Sequence, residues 1–214
     1  MKTLETNDWM ILNSIIYKIY TTEDADIMRE QFLEQMKMVL DFDSADFFLA
    51  DRKESKHLIK PVTYNCDDES PMYDEMNSNR GIAYSGKSLV YRETDMISDE
   101  KRVQTEYYQK VYRPNNWHYA IQMILGRNKE FLGVVTFYRT IGKDNFQYDD
   151  IFILDMLKDH LAFRLYKDGQ QKDERAEKLT ITEVTEKYEL TKREHTILQL
   201  LPFRICLPDI YRPA

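Results

Sequence analysis

Two strongly β-prone runs, residues 118–125 and 131–139, flank the short polar link Gly126-Arg127-Asn128-Lys129-Glu130. Runs this rich in β-branched and aromatic side chains favour a pleated, buried surface. A link this short forces them to pair antiparallel, because a parallel pair needs a crossover of a dozen or more residues. The segment therefore predicts a hairpin whose strands sit centrally in a sheet, and the rest of the chain has to cover that sheet.

The flanking segments supply the cover. Trp9, Leu12, Ile15, Ile16 and Ile19 recur at helical spacing, and Met28, Phe32, Met36, Val39 and Leu40 do so again after Thr21-Thr22, which the sequence offers as a capping pair. Residues 45–50 form a short apolar run broken by one acid, Asp46, and residues 58–64 form a second extended segment, which together predict another hairpin. Residues 65–88 are polar and rich in turn formers, a long connection of the kind that often carries function. Leu89-Val90-Tyr91 is a short strand candidate. Val103, Tyr107 and Val111 mark a helix that must end before Pro114, and Ile151, Leu154, Leu157, Leu161 and Leu165 line a long helix ending near Gly169. Strands joined by hairpins, with no regular β-α-β alternation, predict an α+β domain built on an antiparallel sheet.

This element order, with the strand Gly133-Val134-Val135-Thr136-Phe137 followed by Phe146 and the closing helix, resembles a GAF domain over residues 1–168. The resemblance implies a central antiparallel sheet flanked by N- and C-terminal helices, and a small-molecule site between the sheet and the segments 65–88 and 98–117. Aromatic and methionine side chains are dense in and around these segments. Tyr64, Tyr73, Met76 and Tyr84 come from the first region, and Tyr107, Tyr108, Trp117 and Met123 from the second. Such side chains suit a small aromatic or heterocyclic ligand, although the same residues also serve as ordinary core. Nucleotide-binding GAF domains often carry Asn-Lys, then Phe, three residues and Asp-Glu. This chain has Asn128-Lys129, Phe146 and Asp150, with Ile151 in place of the glutamate. The resemblance implies a structural ion pair between Lys129 and Asp150.

Residues 169–189 read as a helical linker, and a second resemblance follows it. Leu190-Thr191-Lys192-Arg193-Glu194, running into Ile197-Leu198-Gln199-Leu200-Leu201, is similar to the opening helix of a LuxR-type helix-turn-helix. Thr191 and Glu194 are spaced as a capping box. Pro202, Pro208 and Pro213 then interrupt the segment where a recognition helix belongs. Residues 190–214 are accordingly expected to be an incomplete DNA-binding domain, with Thr191, Lys192, Arg193 and Glu194 as its remnant. An ordinary capped terminal helix satisfies the same residues. Specific DNA binding is expected only of an intact regulator.

Charge and chemistry narrow the remaining classes. Residues 169–214 carry eight basic and eight acidic side chains, so the whole net charge of −7 lies in residues 1–168, without the basic stripe of a nucleic-acid surface. Cys66 and Cys206 are too far apart in sequence for a zinc pair, and His57, His118, His160 and His195 show no ligand spacing. A redox enzyme of the sulfoxide-reductase type needs more cysteines than Cys66, and bilin attachment there lacks a neighbouring histidine. The sequence thus implies no catalytic residue, metal or cofactor. It implies a cytoplasmic protein with no membrane segment and an unknown small-molecule ligand. A homodimer is expected through the last helix, by the leucine stripe itself or by Ile153, Met156, His160 and Phe163 on the opposite side, and the sequence leaves open which face is used. A protein-interaction module with no ligand is the rival expectation.

Overall fold

The computed structural model describes residues 4–51, 58–66, 85–177, 185, 188 and 190–200. The chain divides into two compact units, Met1–Tyr166 and Lys167–Ala214.

The first unit opens with two helices, α1 (Thr6–Thr21) and α2 (Ala25–Met36). A capping box between Glu5 and Asp8 starts α1, and Leu12, Ile15 and Ile19 are its buried stripe. Thr21-Thr22 does not cap the second helix: Thr21 is the last residue of α1, with its hydroxyl donated back to the Tyr17 carbonyl at 2.9 Å. Asp24 takes the capping role instead, accepting from the amides of Asp26 and Ile27 at 2.8 and 3.0 Å.

Five strands follow: β1 (Ser44–Ala50), β2 (Leu58–Tyr64), β3 (Leu89–Arg92), β4 (Trp117–Arg127) and β5 (Glu130–Thr140). They form one sheet in the order β2-β1-β5-β4-β3, and every pair is antiparallel. The β4–β5 hairpin turns on Asn128 and Lys129, both at positive φ (52° and 67°), the backbone of a two-residue I′ turn that matches strand twist. Between β3 and β4 the chain makes a 3₁₀ turn (Glu93–Asp95), the short helix α3 (Asp99–Arg102) and a π-helical turn (Tyr108–Tyr112). The continuous helix expected from Val103, Tyr107 and Val111 is broken because Thr105 bonds locally: its hydroxyl donates to the Arg102 carbonyl and accepts from the Tyr108 amide.

Helix α4 (Tyr148–Glu177) closes the first unit and continues past Gly169. Its residues Leu154, Leu157, Leu161 and Leu165 join Leu12, Ile15, Met28, Phe32 and Met36 over one face of the sheet, where Phe47, Ile121, Met123, Val135 and Phe137 complete the main core. Ile153 belongs to this core too, and His160 and Phe163 are engaged by Tyr20 of α1. Both faces offered for a second copy, the leucine stripe and the side of Ile153, His160 and Phe163, are thus largely used within the chain. Two buried arginines fasten the helices: Arg29 of α2 donates to the carbonyls of Phe47 and Lys60, and Arg164 of α4 donates to those of Ile19 and Glu23, at the carboxyl end of α1.

The second unit includes α5 (Lys192–Leu200), preceded by the expected capping box. The Thr191 amide donates to Glu194 Oε2 at 2.8 Å and the Glu194 amide to Thr191 Oγ1 at 3.4 Å. Thr191, Lys192, Arg193 and Glu194 are exposed, and so is Ile197. Residues 201–214, with the three prolines, lie outside the described residues. No helix among the described residues is long and apolar enough to cross a membrane.

Candidate functional site

The face of the sheet turned away from α1, α2 and α4 is built in tiers, because directly paired residues of neighbouring strands project to the same side. One tier is apolar: Phe48 pairs with Val134 and Val134 with Ile124. The next is polar, running Asp46–Thr136–Gln122–Tyr91 across β1, β5, β4 and β3. Thr63 pairs with Asp46 from β2. A third tier sets Tyr138 beside Ala120, with Trp117 at the start of β4.

The polar tier is buried. Asp46 is 5% exposed, and Gln122 and Thr136 less so. Tyr138 donates its hydroxyl to Asp46 Oδ2 at 2.6 Å, and Tyr91 donates to Gln122 Oε1. Burial pushes the Asp46 carboxyl up to about 7, against the opposing pull of Tyr138 and of the Thr136 hydroxyl and amide. Among the described residues Asp46 Oδ1 has no well-aligned hydrogen bond, and Asp46 has no ion pair. A buried carboxylate oxygen in this condition is costly.

Beyond the third tier the aromatic side chains pack on one another. Trp117 and Tyr138 stack at 3.9 Å with ring planes 8° apart, and Tyr112 meets both edge-on. The π-helical turn places Tyr108 and Tyr112 on one side, stacked at 5.6 Å. Arg102 lies 5.0 Å from the Tyr108 ring and 5.7 Å from that of Tyr112, and it bonds Asp99 at 2.7 Å. Glu93 faces Arg102 at 3.6 Å; burial raises its pKa, opposed by Tyr112 and by the charge of Arg102. Tyr108 also meets His118 Nδ1 at 2.6 Å, and His118 Nε2 lies 3.4 Å from Asp99.

Of the side chains expected to line a ligand site, Tyr107, Tyr108 and Trp117 come together in this aromatic cluster, with Tyr112 and the partly buried Cys66. Met123 does not: strand alternation turns it into the main core beneath the helices. Tyr64 packs against the same core and meets Phe42 edge-on at 5.5 Å. Tyr73, Met76 and Tyr84 lie outside the described residues. The polar tier was not anticipated. Its signal was the single acid in the apolar run of β1, and the phase that places Thr136 and Gln122 opposite it.

Solved structures with this architecture include the GAF domain of an Acinetobacter phosphoenolpyruvate-protein phosphotransferase (11% identical, TM-score 0.58, 78% of this chain and 97% of that one). A phycocyanobilin-bound GAF domain from a cyanobacterial phytochrome is similar at 12% identity and TM-score 0.58, over 78% of this chain and 98% of that one. The chain has the GAF fold. Another solved structure, free methionine-R-sulfoxide reductase from Neisseria meningitidis in complex with its substrate, is 15% identical with a TM-score of 0.55, over 80% of this chain and 96% of that one. No protein-family profile matches the chain, and no curated protein matches it in sequence.

The GAF fold separates Lys129 from Asp150, so the expected ion pair between them does not form. Lys129 sits in the β4–β5 turn, and Asp150 accepts from Arg139 at 3.3 Å near the opposite end of β5. Ten residues of extended strand between Lys129 and Arg139 span roughly 33 Å. Arg139 also donates to the carbonyls of Asp41, Asp144 and Asn145 and lies 4.1 Å over the Phe146 ring, fastening the entry to α4. Among the described residues no group of three His, Cys, Asp or Glu side chains is placed to hold a metal ion.

Proposed function

We propose that this chain is the sensory part of a bacterial, LuxR-type regulator of transcription, in which the GAF fold binds a small molecule on the outer face of its sheet. The carrying observation is the buried polar tier between two apolar clusters, a surface that offers hydrogen bonding inside an apolar setting. The phytochrome match, which holds phycocyanobilin, lends support by analogy of fold. The capped helix α5 is read as the first helix of the output domain, and DNA recognition as a property of an intact regulator. A cytoplasmic homodimer completes the proposal. Its contacts would come from outward apolar residues such as Met10 and Tyr17 of α1 and Phe152 of α4. No enzymatic step is proposed.

Native mass spectrometry of the purified chain tests the reading. A dimer carrying additional small mass is the expected result, and a bare monomer that no metabolite stabilises would overturn it. A saturating ligand at about a hundred times its Kd should add about 2.7 kcal/mol.

One observation favours a second reading. Trp117, Tyr138, Tyr112 and Tyr108 already fill much of their own cluster, as in an interaction module that takes no ligand. That module would dimerise with no metabolite bound.

A further inference from the structure

The sensor reading says where a ligand sits and leaves its chemistry open; the polar tier narrows that chemistry, and the inference here rests on that reading. Asp46 is held unevenly: the Thr136 hydroxyl and amide favour its charged form, but Tyr138 alone makes a well-aligned hydrogen bond to it among the described residues. Its Oδ2 receives the Tyr138 hydroxyl, while Oδ1 lacks a well-aligned partner among the described residues. The side chains facing it are Thr63 from β2, Thr136 and Tyr138 from β5 and, one strand further, Gln122 from β4. The titratable side chain bonded to it is Tyr138; Tyr91 lies further along the tier, and Cys66 bonds the neighbouring Ala45 carbonyl, so none of these brings a positive charge. Above and below the tier lie an aliphatic and aromatic cluster (Phe48, Ile124, Val134) and an aromatic one (Tyr138, Trp117).

We propose that the outer face of the sheet binds a small, flat, largely apolar molecule that presents a cationic N–H group, such as an amidinium or protonated amine, to Asp46 Oδ1. The nitrogen supplies together a well-aligned hydrogen bond and a countercharge that no described residue supplies, and a charge-assisted N–H···O bond in an apolar setting is stronger than a neutral one. The rings above and below the tier receive the body of the molecule. A carboxylate ligand is disfavoured by repulsion from Asp46. A neutral amide supplies the bond without the charge.

The test uses the full chain with three probes of nearly one shape: benzamidine (cation), benzamide (neutral) and benzoate (anion). Binding is measured by calorimetry and thermal shift at pH 8 and pH 6, for the wild type and for Asp46→Asn. Benzamidine is expected to bind in preference to the other two. Its affinity should weaken roughly tenfold from pH 8 to pH 6, as the carboxylate fraction falls and fewer molecules are competent to bind. A similar loss is expected in Asp46→Asn at pH 8. If that variant fails to fold, the wild-type pH series decides alone.

Preference for benzoate or benzamide, or benzamidine binding indifferent to both pH and Asp46, overturns the cationic class while the sensor reading stands. Binding of none of the three overturns the inference. If no metabolite stabilises either the wild type or Asp46→Asn, the tier is sealed core and the sensor reading falls with it.

Discussion

Tyr138 and Asp46, 92 positions apart in sequence, are joined by a buried hydrogen bond of 2.6 Å between the central strand β5 and its neighbour β1. The bond satisfies one carboxylate oxygen and leaves the group within an apolar face, which makes Asp46 a source of pH-dependent stability.

The sign follows from linkage. The carboxyl pKa is about 7 in the folded chain against an ordinary 3.8, so between those values the folded state binds the extra proton. This contribution is fully present below pH 3.8, declines as the pH rises and is lost once it passes through about 7. Three pKa units correspond to about 4 kcal/mol. Urea denaturation of Asp46→Asn should remove this dependence, leaving the variant more stable than the ligand-free wild type at pH 8 and nearly equal to it at pH 4. A wild type whose stability rises between pH 4 and pH 8 by the part that Asp46→Asn abolishes would contradict the assignment.

Gly133 lies where β5 passes close to β1. A Cβ placed there would sit 2.4 Å from the Phe48 carbonyl oxygen, a backbone atom that cannot swing aside. Gly133→Ala should therefore cost about 2 kcal/mol by the overpacking it forces. Its denaturation midpoint, compared with that of the wild type at unchanged m-value, measures the loss.

Lys129 holds a positive φ in the β4–β5 turn, a conformation that glycine adopts without steric penalty. The strain relieved by Lys129→Gly exceeds the added chain entropy, so the variant should be about 0.5 kcal/mol more stable. Had Lys129 been the partner of Asp150, the same substitution would destabilise. The direction of the Tm change separates the two.

Arg139 gathers three carbonyls and the Asp150 carboxylate at the entrance to α4. Replacing it by methionine keeps the stem and strands four acceptors, for an expected cost of about 3 kcal/mol. Asp150→Ala removes one of those contacts and should cost much less. Faster amide exchange at Gln147, whose N–H donates to Asp150 at 2.7 Å, would accompany both.

The strands were legible because their apolar runs are long and their links short: 118–125 and 131–139 extend to Trp117–Arg127 and Glu130–Thr140 with the hairpin as expected. The leucine stripe of α4 and the buried stripe of α1 were equally plain. What hid was the division of each strand between faces. Met123 and Gln122 are neighbours in sequence, yet one lies under the helices and the other in the polar tier, and composition alone does not set that phase. Asn128-Lys129 misled for a related reason, since a turn that needs positive φ selects asparagine whatever the function of the domain. Arg139 was hidden because three of its partners are backbone carbonyls, which carry no sequence signal.

Alternate letters of β1, β4 and β5 answer to different demands. Phe47, Ile121, Met123, Val135 and Phe137 are answerable to the helices above them, whereas Asp46, Gln122, Thr136 and Tyr138 are not. Evolution can therefore rewrite one set while reading past the other, as a text is revised on every second line. A sheet partitioned in this way can keep its architecture down to the 11–15% identity seen among its structural matches, because only the set beneath the helices has to be preserved for the fold.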